Sequence, residues 1–229
     1  MRDPKPRVAV VSFPGSNDDR DASWALGALG ADPVPVWHQE TELPDVGAVV
    51  LPGGFSYGDY LRAGAIARFS PVMEAVRAFT DGGGLVLGVC NGFQILCEAG
   101  LLPGVLRPNA SLRFVCRDVS VRVEQADTLF TSRCEPGQHL TIPVKHGEGC
   151  YTPPDDLHPN RVLLRYATGE NPNGSVDDVA GVISERGNVI GLMPHPEHAV
   201  DPLLGSGDGA LILGSLVDSA RERLATVAA

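Results

Sequence analysis

Gly84-Leu85-Val86-Leu87-Gly88-Val89-Cys90-Asn91-Gly92-Phe93-Gln94-Ile95-Leu96 is the stretch from which the fold follows. Leu85 to Val89 is a short apolar run, of the kind that forms a strand buried on both faces of a parallel sheet. Asn91 to Ala99 reads as a helix with Phe93, Leu96 and Cys97 on one side. Cys90 falls at the junction, inside Gly88-x-Cys90-x-Gly92. A nucleophile on a sharp strand-to-helix turn is the nucleophile elbow, here with sulfur in place of oxygen. Glycines on both sides suit a turn too tight for neighbouring Cβ atoms. A helix N-terminus behind the sulfur favours negative charge there and offers free N–H groups to an oxyanion. The bland alternative is a small buried hydrophobe, as most free cysteines are.

The segments around the elbow repeat the pattern. Arg7 to Phe13 reads as a buried strand, and Pro14-Gly15-Ser16-Asn17 turns it. Ser16 with Asp19 fits a capping box, before a helix that buries Ala22, Ala25, Leu26 and Leu29 and stops at Gly30. Pro33 to His38 is a proline-interrupted strand suited to a sheet edge. Gly47 to Pro52 is a third strand, and Gly53-Gly54-Phe55-Ser56-Tyr57-Gly58-Asp59-Tyr60 a glycine-rich loop after it. Ser70-Pro71 opens the helix that presents Val72, Ala75, Val76 and Phe79. This βαβα alternation predicts an α/β three-layer sandwich, a mostly parallel sheet with helices on both faces. Ligands bind beyond the carboxyl ends of such strands, where Cys90 and Gly53-Gly54 should meet.

From Arg113 the texture changes. Phe114 to Val123 alternates roughly, and Thr141 to Lys145, Val162 to Tyr166 and Val179 to Ser184 are further short strands. Arg186-Gly187-Asn188 between two apolar runs signals a hairpin. An antiparallel extension of the sheet is expected, then a closing helix with Leu213, Leu216, Val217, Ala220 and Leu224 on one side. No repeat or linker divides the 229 residues, so residues 1–229 are read as one domain.

Bulk properties exclude several classes. A net charge of −10 argues against a nucleic-acid face. No apolar run approaches the roughly 20 residues of a membrane span. Met1-Arg2-Asp3-Pro4-Lys5-Pro6 is polar, with no apolar signal region behind it. Five cysteines, an odd number between Cys90 and Cys150, do not suggest a disulfide framework. No Cys-x-x-Cys or His-x-x-x-His pair points to a metal, and a reducing cytoplasm fits.

A cysteine nucleophile wants a base, since a thiol with its usual pKa of about 8.5 is mostly protonated at neutral pH. Among six histidines, His195 stands out in Pro194-His195-Pro196-Glu197. Two prolines hold the segment extended, and residues two apart then point the same way. Glu197 can therefore orient the His195 ring, the second half of a triad. Gly53 and Gly54 with the N–H of Asn91 could form an oxyanion hole. Gln94, one helical turn from Cys90, can line the same pocket.

Gly88-Val89-Cys90-Asn91-Gly92-Phe93-Gln94 together with Pro194-His195-Pro196-Glu197 resembles the signature of class I, or triad, glutamine amidotransferases, a flavodoxin-like family. Pro14 to Asn17, Val36-Trp37-His38, Pro52 to Arg62, Gly64 to Ala67, His146 to Gly149 and Asn171 to Ser175 resemble the glutaminase subunits of phosphoribosylformylglycinamidine synthase in particular. The resemblance spans nearly the whole chain. It implies that Cys90 attacks the side-chain amide of L-glutamine, that Gly53, Gly54 and Asn91 hold the oxyanion, and that His195, oriented by Glu197, moves the protons. It also implies that Gln94, His146, Gly147 and Glu148 hold the glutamine. Ammonia would pass to a large synthetase subunit, with a small accessory subunit alongside. ATP and Mg2+ would belong to the synthetase, since this chain has no Gly-x-x-x-x-Gly-Lys-Ser/Thr phosphate loop; no cofactor is expected on this chain. Two departures are visible: Asp18 where many relatives have Cys, and His198 where Arg is common. The competing readings are a stand-alone cysteine hydrolase or peptidase of similar fold and a non-enzymatic interaction protein.

Overall fold

In the computed structural model, which describes residues 5–227, the elbow strand lies near the middle of a nine-stranded sheet. The elements run β1 (Arg7–Ser12), α1 (Asp19–Ala28), β2 (Asp32–Trp37), β3 (Ala48–Leu51), α2 (Val72–Asp81), β4 (Leu85–Val89), α3 (Asn91–Glu98), β5 (Val105–Arg107), β6 (Val115–Val123), β7 (His139–His146), β8 (Cys150–Thr152), β9 (Val162–Tyr166), β10 (Val179–Ile183), β11 (Val189–Leu192) and α4 (Gly209–Val227). The spatial order is β2-β1-β3-β4-β11-β10-β9-β6-β7. Strands β2, β1, β3, β4 and β11 pair in parallel, and every pairing beyond β11 is antiparallel. The proline-bearing β2 is the parallel edge, as a missing N–H donor requires. The hairpin at Arg186-Gly187-Asn188 joins β10 to β11. Strands β5 and β8 form a separate two-stranded ladder that the sequence pattern does not reveal.

Packing follows the apolar periodicities. Helices α1 and α4 touch each other and cover β1, while α3 lies against β3, β4 and β11. Right-handed crossovers that run in opposite directions from the sheet centre place α1 and α2 on opposite faces. Every residue of β3, β4, β10 and β11 is buried, the reason these read as unbroken apolar runs. The capping box expected from Ser16 and Asp19 does not form. Ser16 Oγ instead accepts a hydrogen bond from Phe13 N–H (2.9 Å), and Asp19 Oδ2 accepts one from Ser12 Oγ (2.9 Å). The helix starts at Asp19, so Ser16 falls in the preceding turn, too far upstream to cap it. Among the described residues no helix is long and apolar enough to cross a membrane. Residues 1–4 of the polar opening segment lie outside the described residues.

The elbow needs its glycines for space. A Cβ on Gly88 would come within 2.5 Å of Leu96 Cδ1, and one on Gly92 would run into the Leu51 carbonyl at the end of β3. Gly92→Ala is expected to cost about 1–3 kcal/mol, because backbone must move to accept the methyl group. That corresponds to a Tm lower by roughly 2–4 °C for each kcal/mol in a chain of this size. A thermal melt that superimposes on that of the parent would refute the close-packing account.

Candidate active site

Cys90 has φ 49° and ψ −103°, a left-handed conformation that a residue with a Cβ adopts at a cost of about 1–2 kcal/mol. Its N–H donates to Leu192 O (2.8 Å), which ties the strained residue to the end of β11. The thiol thus projects beyond the carboxyl ends of the parallel strands, where α/β sheets bind ligands. Its sulfur faces the Lys145 carbonyl at 3.9 Å, so β7 forms the opposite wall.

His195 reaches the same edge because β11 runs parallel to β4 and the chain continues straight past it. The His195 N–H donates to Pro143 O (2.8 Å). The ring is fully buried, with Nδ1 2.6 Å from Glu197 Oε1. Its Nε2 is buried without a hydrogen-bond partner, the ring nitrogen left for a reacting group. Burial pulls the imidazole pKa down, but the charges of Glu197 and Cys90 and the hydrogen bond to Glu197 outweigh it and raise it to about 10. The imidazolium form is therefore held beside the sulfur. Glu197 is also buried, and the two-residue spacing that aligns it with His195 survives although Pro196–His198 forms a single 3-10 turn.

A cavity of about 180 Å³ opens beside the sulfur, lined by Gly54, Phe55, Asp59, Cys90, Gln94, Phe114, Lys145, His146, Gly147 and Glu148. Gln94 is clamped at both ends of its amide. Nε2 donates to Glu148 O (2.5 Å), and Oε1 accepts from Asn91 Nδ2 (2.9 Å). Asn91 Oδ1 accepts in turn from Ser56 N–H (3.2 Å), which fixes the glycine-rich loop to the start of α3. His146 is buried, its Nδ1 3.1 Å from Asn109 Oδ1 and its Nε2 3.4 Å from Asn173 Nδ2. Burial and the neighbouring His195 charge lower its pKa to about 4, so it faces the cavity uncharged.

Gly54 lines the cavity; Gly53 is not part of its lining, and its α-carbon packs against the imidazole, where a Cβ would come within 2.7 Å of His195 Cε1. Sequence reasoning missed six contributors, two of them Phe55 and Phe114 in the cavity lining. Lys145 and Asp59 line the cavity, and Asn109 and Asn173 hold His146. Burial and the Glu148 charge raise the Asp59 carboxyl to about 6. An aspartate in a glycine-rich loop carries no sequence signal that distinguishes it from a turn residue. A larger hollow of about 570 Å³ at the Arg186-Gly187 hairpin has neither a thiol nor an imidazole in its lining. The five cysteines are unpaired, Cys116 being exposed and Cys97 half-buried.

A strained cysteine at a helix N-terminus, an imidazole held by a carboxylate and a small adjoining cavity are the equipment of a cysteine-dependent amide hydrolase. The model of the CobB/CobQ-like glutamine amidotransferase domain matches residues 5–206, and the chain belongs to that family. Within the family it is similar to phosphoribosylformylglycinamidine synthase subunit PurQ of Rubrobacter xylanophilus, 60% identical over 220 residues, covering 94% of this chain and 99% of the relative. The PurQ subunit of Mycobacterium tuberculosis strain H37Rv is 55% identical over 210 residues, covering 90% and 93%. A solved structure described as PurLQS from Thermotoga maritima contains a chain that superimposes with a TM-score of 0.89 at 46% identity, covering 94% of this chain and 99% of that one.

Proposed function

We propose that this chain is the glutaminase subunit of a phosphoribosylformylglycinamidine synthase, hydrolysing glutamine and handing ammonia to a synthetase chain. The observation that carries the chemistry is the convergence of Cys90, His195 and Glu197 at one sheet edge beside the 180 Å³ cavity. The Cys90 sulfur attacks the glutamine side-chain carbonyl carbon, with the thiol proton resident on His195. Negative charge develops on the carbonyl oxygen, where the N–H groups of Gly54 and Asn91, and of Gly53, receive it. Collapse breaks the C–N bond as His195 protonates the departing nitrogen, giving ammonia and a glutamyl thioester. His195, now neutral, takes a proton from water, hydroxide displaces the sulfur, and glutamate leaves. Glu197 keeps the ring oriented throughout. Gln94 with Gly147, Glu148 and the uncharged His146 hold the substrate.

Ammonia is consumed by a large ATP- and Mg2+-dependent synthetase chain, with a small accessory subunit completing the assembly, all in the cytoplasm. The identities of 52–60% to PurQ subunits and the PurLQS match support the subunit and its partner chains. The test mixes the purified chain with its synthetase and accessory subunits. Glutamine hydrolysis is expected to rise at least tenfold over the chain alone, with formylglycinamidine ribonucleotide forming. Full glutaminase activity without partners, or turnover of a non-glutamine amide, would instead assign an independent hydrolase.

A further inference from the structure

Asp18, at the start of α1, is almost fully buried, 2% exposed, and far in sequence from the elbow. Its Oδ2 lies 3.5 Å from His195 Nδ1, on the same nitrogen that meets Glu197. Its Oδ1 is paired with the Lys145 ammonium and lies 3.4 Å from His198 Nε2. Asp18 therefore touches both His198 and the His195 ring. Such an approach depends on residue 53. A Cβ on Gly53 would collide with Asp18 Oδ2 as well as with the His195 ring. The Gly53 carbonyl, meanwhile, accepts the N–H groups of Asn17 (3.2 Å) and Asp18 (3.3 Å) and holds the turn in place.

We infer that Asp18 is a second carboxylate for His195, a positioning residue that, with Glu197, brackets Nδ1 and sets the ring's proton affinity, its own charge being balanced by Lys145. This inference rests on the glutaminase reading for its effect on turnover, but the geometry itself does not. The groups facing Asp18 come from three directions: Lys145 from β7, His195, Glu197 and His198 from the 3-10 turn after β11, and Asp21 from α1, 3.8 Å from His198. Burial opposes ionisation of Asp18, but hydrogen bonding to His198, the His195 charge and Lys145 win, leaving its carboxyl well below the usual range. It is thus an anion throughout the working pH range. An anion 3.5 Å from Nδ1 favours the imidazolium, so removing it lowers the pH at which His195 loses its proton. Removing Lys145 leaves the Asp18 charge uncompensated and does the opposite.

Two isosteric changes test this on the full chain, Asp18→Asn and Lys145→Met. Two readings are taken against pH: glutamine turnover in the assembled complex, and the rate of Cys90 alkylation by iodoacetamide, followed by mass spectrometry of the Cys90 peptide. Asp18→Asn is expected to lower kcat about tenfold with KM within twofold, and to move the alkaline inflection down by about one pH unit. Lys145→Met should move that inflection up. Unchanged inflections overturn the proposal, and so do shifts in the same direction, which would mark a general disturbance of the site. If the parent complex fails to turn over glutamine, the glutaminase reading fails. Alkylation depends only on the sulfur and its ring, so its two opposed shifts still decide the role of Asp18.

Discussion

Cys90→Ala is expected to abolish glutamine-dependent ammonia release, a loss on the order of 10⁴-fold or more, as when the nucleophile of a triad is removed. The size follows from the division of labour. Without the sulfur there is no thioester, and the remaining cavity can only bind substrate and orient water. The methyl side chain keeps the Cβ, so the positive-φ strain at residue 90 is unchanged and the fold is preserved. Product formation driven by added ammonium chloride in the complex should persist, because that step bypasses this chain. The measurement is ammonia released per subunit with glutamine as sole donor. Normal hydrolysis by Cys90→Ala would end the nucleophile assignment.

His195→Ala is expected to lower turnover by about 10²-fold or more, the usual worth of a positioned acid–base group. A loss below threefold would remove it from the mechanism. The substitution also strands Glu197, whose Oε2 already lacks a partner, and Asp18 beside it. Breaking a buried pair on one side costs about 3–5 kcal/mol, so a large drop in Tm is expected as well. The pH dependence separates the two effects. The His195 pKa is raised on folding, from 6.5 to about 10, so the stability its charge contributes is fully present below pH 6.5. It is lost as pH climbs from 6.5 towards 10. His195→Ala should lose that alkaline decline, which urea titrations between pH 6 and pH 10 would read directly.

Much of the candidate site was legible because its local pieces are short. Gly88-x-Cys90-x-Gly92 is a self-contained strand–turn–helix instruction, and Pro194-His195-Pro196-Glu197 sets the relation of ring to carboxylate within four residues. Gln94 was legible for the same reason, one helical turn from the nucleophile. The parallel half of the sheet could be read from unbroken apolar runs alternating with helical periods. The ladder of β5 with β8 could not, since its strands are three residues each and partly exposed. The capping-box reading of Ser16 failed because a three-residue spacing does not say where a helix begins.

The sequence by itself determined which residues could react, and that they would lie at strand ends, because backbone geometry over a few residues depends on those residues alone. Only the tertiary structure decided what surrounds the base. Asp18, Lys145, His195 and His198 come from three distant parts of the chain, and sheet pairing and the bare α-carbon of Gly53 bring them within contact. The electrostatic field at His195 is a sum over space rather than along the chain. Residues that look unrelated in sequence, Asp18 and His198, therefore become one charged cluster once the strands are in register.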